Sequence, residues 1–102
     1  MSIGRRITQF LHRLGFGGHT FPDGTRILVI SYDGLLYSEP DGHRVELTWY
    51  SQSPLVRERK VVLKEHWDGP DASERISSSR RDEILEKVRQ FGSKRGIRLA
   101  VP

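Results

Sequence analysis

Cysteine is absent from the 102-residue chain, which excludes disulfides and thiolate metal sites and fits a reducing compartment. No apolar run approaches the ~18 residues that a membrane-spanning helix requires. No serine sits in a Gly-x-Ser-x-Gly elbow, and the four histidines, His12, His19, His43 and His66, show no pair at i, i+3 or i, i+4. Neither a nucleophile motif nor a compact zinc-ligand motif is therefore legible. Gly15-Phe16-Gly17-Gly18 follows a helical pattern, whereas a phosphate cradle sits between a strand and a helix N-terminus. Asp33, Glu39 and Asp41 fall at expected hairpin ends, where turn formation accounts for them. Internal repeats and low-complexity tracts are also missing. The expectation is a protein with no catalytic residues, no metal and no cofactor, one that binds a macromolecule and has no small-molecule substrate.

Acidic residues are missing from residues 1–22, which carry Arg5, Arg6 and Arg13 and so hold +3 of the net +4, leaving +1 on the rest. The basic character is concentrated in one arm, whereas a nucleic-acid binder usually carries a broader basic stripe. Hydrophobic residues at 35% and charged residues at 29% describe a globular mixture, and the length suits one domain, residues 1–102. No small-x-small cleavage site follows the arm, so the expected location is cytoplasmic.

Ile3, Ile7, Phe10, Leu11 and Leu14 recur at helical spacing, predicting a basic amphipathic helix over 1–18 that the glycines end. Pro22 and Asp23-Gly24 mark a turn. Residues 26–65 read as a β-meander. Arg26 to Tyr32 is apolar on both faces and so interior to its sheet. Asp33-Gly34 suits a two-residue hairpin with positive φ at both positions. Val45, Leu47 and Trp49 alternate with Arg44, Glu46, Thr48 and Tyr50, a half-buried antiparallel strand. Arg59 to Glu65 is the fourth strand. Residues 66–78 form a loop. A helix over 79–95 follows, with Ile84, Leu85, Val88 and Phe91 as its apolar stripe and Ser77, Ser78 or Ser79 as its cap. Residues 97–101 are a short strand or tail. The expected fold class is α+β: an N-terminal helix, a four- to five-stranded antiparallel β-meander, and a C-terminal helix packed on one sheet face.

Glu65 to Glu74 contains Glu65, Asp68, Asp71 and Glu74 with no Lys or Arg, an acidic loop whose Trp67 either caps the core or anchors a partner. With Tyr50 nearby, these residues form the expected partner-binding surface, because complementary charge speeds encounter and a buried aromatic can anchor it. Arg5, Arg6 and Arg13 offer an alternative: an arm that grips nucleic acid or an anionic membrane, unless the helix docks on its own domain.

The stretch Tyr37-Ser-Glu-Pro-Asp-Gly-His-Arg-Val45, then Lys64-Glu-His-Trp-Asp-Gly-Pro70, Ile76-Ser77 and Arg81-Asp-Glu-Ile-Leu-Glu-Lys-Val88 resembles the small immunity proteins of bacterial polymorphic-toxin and contact-dependent growth inhibition systems. The similar type has a meander ending in a Trp-Asp-x-Pro loop before the C-terminal helix, and the likeness covers roughly residues 35–99. It implies a cytoplasmic antitoxin that neutralises a cognate toxin domain by stoichiometric occlusion. It further implies mainly structural roles for Trp67, Asp68, Pro70, Ile76 and Ser77. The basic N-terminal arm lies outside the matched stretch.

Overall fold

The computed structural model describes residues 17–51 and 55–100. Six strands, β1 (Gly18–Thr20), β2 (Arg26–Ser31), β3 (Gly34–Ser38), β4 (Arg44–Ser51), β5 (Glu58–Val62) and β6 (Arg98–Ala100), form one sheet in sequence order. The sheet curls into a half-barrel. Between β5 and β6 lie a short 3₁₀ turn, Gly69–Asp71, and helix α1 (Ser78–Lys94).

This architecture corrects the expected fold class. The sheet has six strands and is mixed, because β6 runs parallel to β5 while the other pairs are antiparallel. Parallel strands need a long crossover, and residues 63–97, with α1 inside them, supply it. Sheet dominates, with α1 the one α-helix among the described residues. The expected N-terminal helix falls outside the described residues except for Gly17 and Gly18. Those two glycines belong to the edge of the sheet. Gly17 accepts a hydrogen bond from the Val29 N–H at 2.7 Å, and Gly18 opens β1 opposite Leu28. A Cβ on Gly18 would stand 2.8 Å from the Ile27 carbonyl oxygen, so glycine lets the edge strand approach closely.

Alternation along the strands sets the core. Ile27, Val29, Leu35, Tyr37, Val45, Leu47, Trp49 and Val61 face α1, which answers with Ile84, Val88 and Phe91. Ser77 caps α1 by accepting from the Arg80 N–H. Because the helix begins at Ser78, Asp82 and Glu83 lie beyond its first turn. At the other end Gly96, at φ +72°, lets the Ile97 N–H reach the Gly92 carbonyl and its own N–H reach that of Ser93, a Schellman stop that aims the chain into β6.

The opposite sheet face is open. β2 is interior, flanked by β1 and β3, yet Leu28 and Ile30 remain 37% and 38% exposed on that face, with Val62 at 54% and Tyr50 at 36%. The β2–β3 turn also differs from expectation. Neither Asp33 nor Gly34 adopts positive φ, because the register shifts by a bulge between Val29 and Ser31 and Gly34 already belongs to β3. No helix among the described residues is long and apolar enough to cross a membrane.

Candidate functional site

The Trp67-Asp68-Gly69-Pro70 loop closes the sheet where β5 has departed. β4 pairs with β5 only from Thr48 onward. Further back, Asp68 takes the place of a strand: its N–H donates to the Arg44 carbonyl at 2.8 Å, and its Oδ2 accepts the Glu46 N–H at 2.7 Å. Trp67 is thereby carried inward and is 2% exposed among the core side chains. Partial burial opposes ionisation of Asp68, but the Lys64 ammonium and the Glu46 N–H together hold its carboxyl below the usual range.

The other acids of the loop also meet cations. Glu65 lies 3.6 Å from Arg75, and Asp68 2.5 Å from Lys64. The imidazole of His43, on the β3–β4 turn, sits at the centre of the remainder. Its Nε2 is 3.0 Å from Glu74 and 4.0 Å from Asp71. Its Nδ1 lies 2.9 Å from Asp41, close enough to pair as charges although poorly aligned as a hydrogen bond. The ring also leans on Trp67, centroid to centroid 4.9 Å. Glu74 first and Asp41 second push the His43 pKa up to about 9, so the imidazolium is the resting form at neutral pH. Arg80 joins from α1, with Nη1 2.5 Å from Glu39 and its guanidinium 5.7 Å from the Trp67 ring.

Two triads here, Glu39-Asp41-His43 and His43-Asp71-Glu74, bring donor atoms within 4.8 Å of one another. The same atoms serve as ion pairs: Nε2 of His43 faces Glu74 and Asp71, and its Nδ1 lies beside Asp41. The cluster is complete as an ion-pair clamp between the β3–β4 turn and the loop. The role of His43 is not legible in the sequence, since Asp41 is its only near neighbour in the cluster and Glu74 and Asp71 reach it from across the fold.

Among the expected binding residues, the structure thus gathers Glu65, Trp67, Asp68, Asp71 and Glu74 into one loop whose charges are compensated within the molecule. Tyr50 is not part of that group. It lies on the open face opposite Lys60, four positions along β4 from Glu46, roughly 13 Å away. The alternative arm residues Arg5, Arg6 and Arg13 lie outside the described residues.

The far end of β4 carries a different surface. Tyr32, in the β2–β3 turn, is 71% exposed; Leu55 and Val56, just before β5, are 93% and 46% exposed. Beside them a groove of about 320 Å³ is lined by Arg57, Arg59 and Arg95 with Tyr32, Val56 and Ile97 among its walls. The Arg59 guanidinium is clamped between rings, 5.1 Å from Tyr32 and 4.8 Å from Trp49, and donates through Nη1 to the carbonyls of Tyr32 and Trp49. Among the described residues neither Arg57 nor Arg59 meets a carboxylate, and the groove's one acid, Glu58, is engaged by Arg98 at 3.2 Å. Tyr and Arg are the residue types that most often dominate binding energy at protein interfaces. The local sequence does not mark this site, because the run Val56 to Arg59 becomes a groove only where Tyr32 of the turn and Arg95 and Ile97 past the helix meet it. Compared with known protein families, with characterised proteins and with solved structures, the chain matches none.

Proposed function

We propose that this protein acts by stoichiometric binding to another protein, as an immunity protein that occludes a bacterial toxin domain. The observation that carries the binding reading is the rim at the C-terminal end of β4. There an exposed tyrosine, two exposed aliphatic side chains and a guanidinium packed against two rings stand on a packed scaffold. Rigid aromatic and Arg anchors lose little conformational freedom on association, so more of their contact energy survives as affinity. A standard interface of roughly 800 Å² per partner reaches from this rim across the apolar open face of Leu28, Ile30 and Val62. The toxin as partner rests on the Trp-Asp-Gly-Pro and Ile-Leu resemblance. The acidic loop supports the scaffold in this reading, and contact moves to the opposite end of the sheet.

The test is co-expression with the C-terminal domain of any secreted protein encoded beside this chain. Growth rescue and a co-purifying one-to-one complex are expected. A neighbouring toxin domain that kills equally with and without this protein would overturn the proposal.

A further inference from the structure

We infer that the groove between the β2–β3 turn, the start of β5 and the end of α1 receives a carboxylate side chain, an Asp or Glu presented by the partner protein. This deepens the binding reading above and rests on it. Arg57 and Arg59 bring two guanidinium groups to the groove without a described carboxylate partner, and its one carboxylate, Glu58, is already engaged by Arg98 from outside. Arg59 is held by the Tyr32 and Trp49 carbonyls through Nη1 alone, so its Nη2 and Nε make no hydrogen bond to a described residue. The Tyr32 and Trp49 rings pack within 5.1 Å of it, so two carbonyls and two rings restrain the fork. A planar guanidinium that is fixed in advance and has donors in hand matches the two oxygens of a carboxylate. Arg57 adds a second cation with no described carboxylate partner, lying 3.4 Å from where a Cβ on Gly96 would stand.

Phosphate has the same charge sign, but the surroundings favour a protein donor. Val56 and Ile97 wall the groove and Leu55 stands exposed beside it, apolar neighbours suited to a peptide surface. A nucleic-acid backbone binds best to a continuous basic track, and this groove offers only a short local surplus. One seated carboxylate needs only the local surplus.

The first experiment follows the Arg Nε–H resonances by NMR at constant ionic strength while three probes are added: capped glutamate, capped glutamine and inorganic phosphate. Saturable shifts at Arg57 and Arg59 with capped glutamate only, lost in R57Q, are expected. No shift, equal shifts with capped glutamine, or tighter binding of phosphate would overturn the inference. The second experiment measures affinity for the toxin domain. R57Q, at an exposed position, and R59K, which keeps charge but loses the fork, should each weaken the complex by about 10- to 100-fold. A wild-type complex that both variants reproduce at full affinity sinks the carboxylate seat and leaves the binding reading standing. No complex with wild type sinks both.

Discussion

At one end of the sheet every carboxylate of the 65–74 loop faces a cation of the same chain; at the other, Arg57 and Arg59 face no described carboxylate. The two ends lie at opposite ends of β4, an eight-residue strand, and so roughly 25 Å apart. Charge at the first end joins elements to one another: β4 to the loop through Asp68, the β3–β4 turn to the loop through His43, and α1 to the turn through Arg80. Charge at the second end joins no two elements through a carboxylate at Arg57 or Arg59, and the Arg59 guanidinium packs against the Tyr32 and Trp49 rings. Local charge density therefore does not identify a binding surface; what matters is whether the charges are compensated at home.

The sharpest way to break this contrast is Trp67→Ala. If the loop end is structural, removing a 2%-exposed indole from beneath His43 and Arg80 should cost about 3–5 kcal/mol of stability, read by chemical denaturation. A loss below about 1 kcal/mol would place Trp67 with the surface residues instead. Asp68→Ala comes next. It strips the Glu46 N–H of its acceptor and Lys64 of its partner, with an expected cost of about 1–2 kcal/mol, the range for losing a hydrogen bond to a charged group. Unchanged denaturation midpoints would show that the Asp68 backbone bond to Arg44 suffices alone.

The strands facing α1 were legible because burial imposes strict alternation: Val45, Leu47 and Trp49 are buried where Arg44, Glu46 and Thr48 are not. The parallel β6 was not legible as such, since its pairing partner lies across a helix and no local pattern records direction. The strand contacts of Gly17 and Gly18 were not legible, because a flexible residue serves a helix stop and a close strand contact equally well. In the acidic loop the charges are plain in the sequence, but the flanking Lys64 and Arg75 and the distant His43 neutralise them. Tyr32, Arg57 and Arg95 had no local signal at all. They become a site only when the meander and the helix end at the same place.

His43 gives a pH-dependent version of the contrast. Its folded pKa of about 9 stands above the ordinary 6.5, so the fold prefers the protonated ring. The stabilisation is fully present below about pH 6.5 and is lost as pH rises through about 9. Denaturation midpoints measured across that window should fall for the wild type and stay level for His43→Asn. Parallel slopes in the two proteins would show that the Asp41, Asp71 and Glu74 carboxylates do not bind the imidazolium in solution.

The smallest effect on stability is expected at the other end, and it is the most informative about function. Tyr32→Ala and Leu55→Ala remove side chains that are 71% and 93% exposed, so each should change stability by no more than about 0.5 kcal/mol. Arg59 keeps its contacts with the Trp49 ring and carbonyl in both variants, and the core beneath is untouched. A near-silent stability change combined with a clear loss of toxin-domain binding would mark these side chains as anchors, because contact energy that the fold does not need is then drawn only from the complex. If Tyr32→Ala instead destabilised the protein by more than about 1 kcal/mol, the ring would be serving mainly to pin Arg59, and the two ends of the sheet would no longer differ in kind.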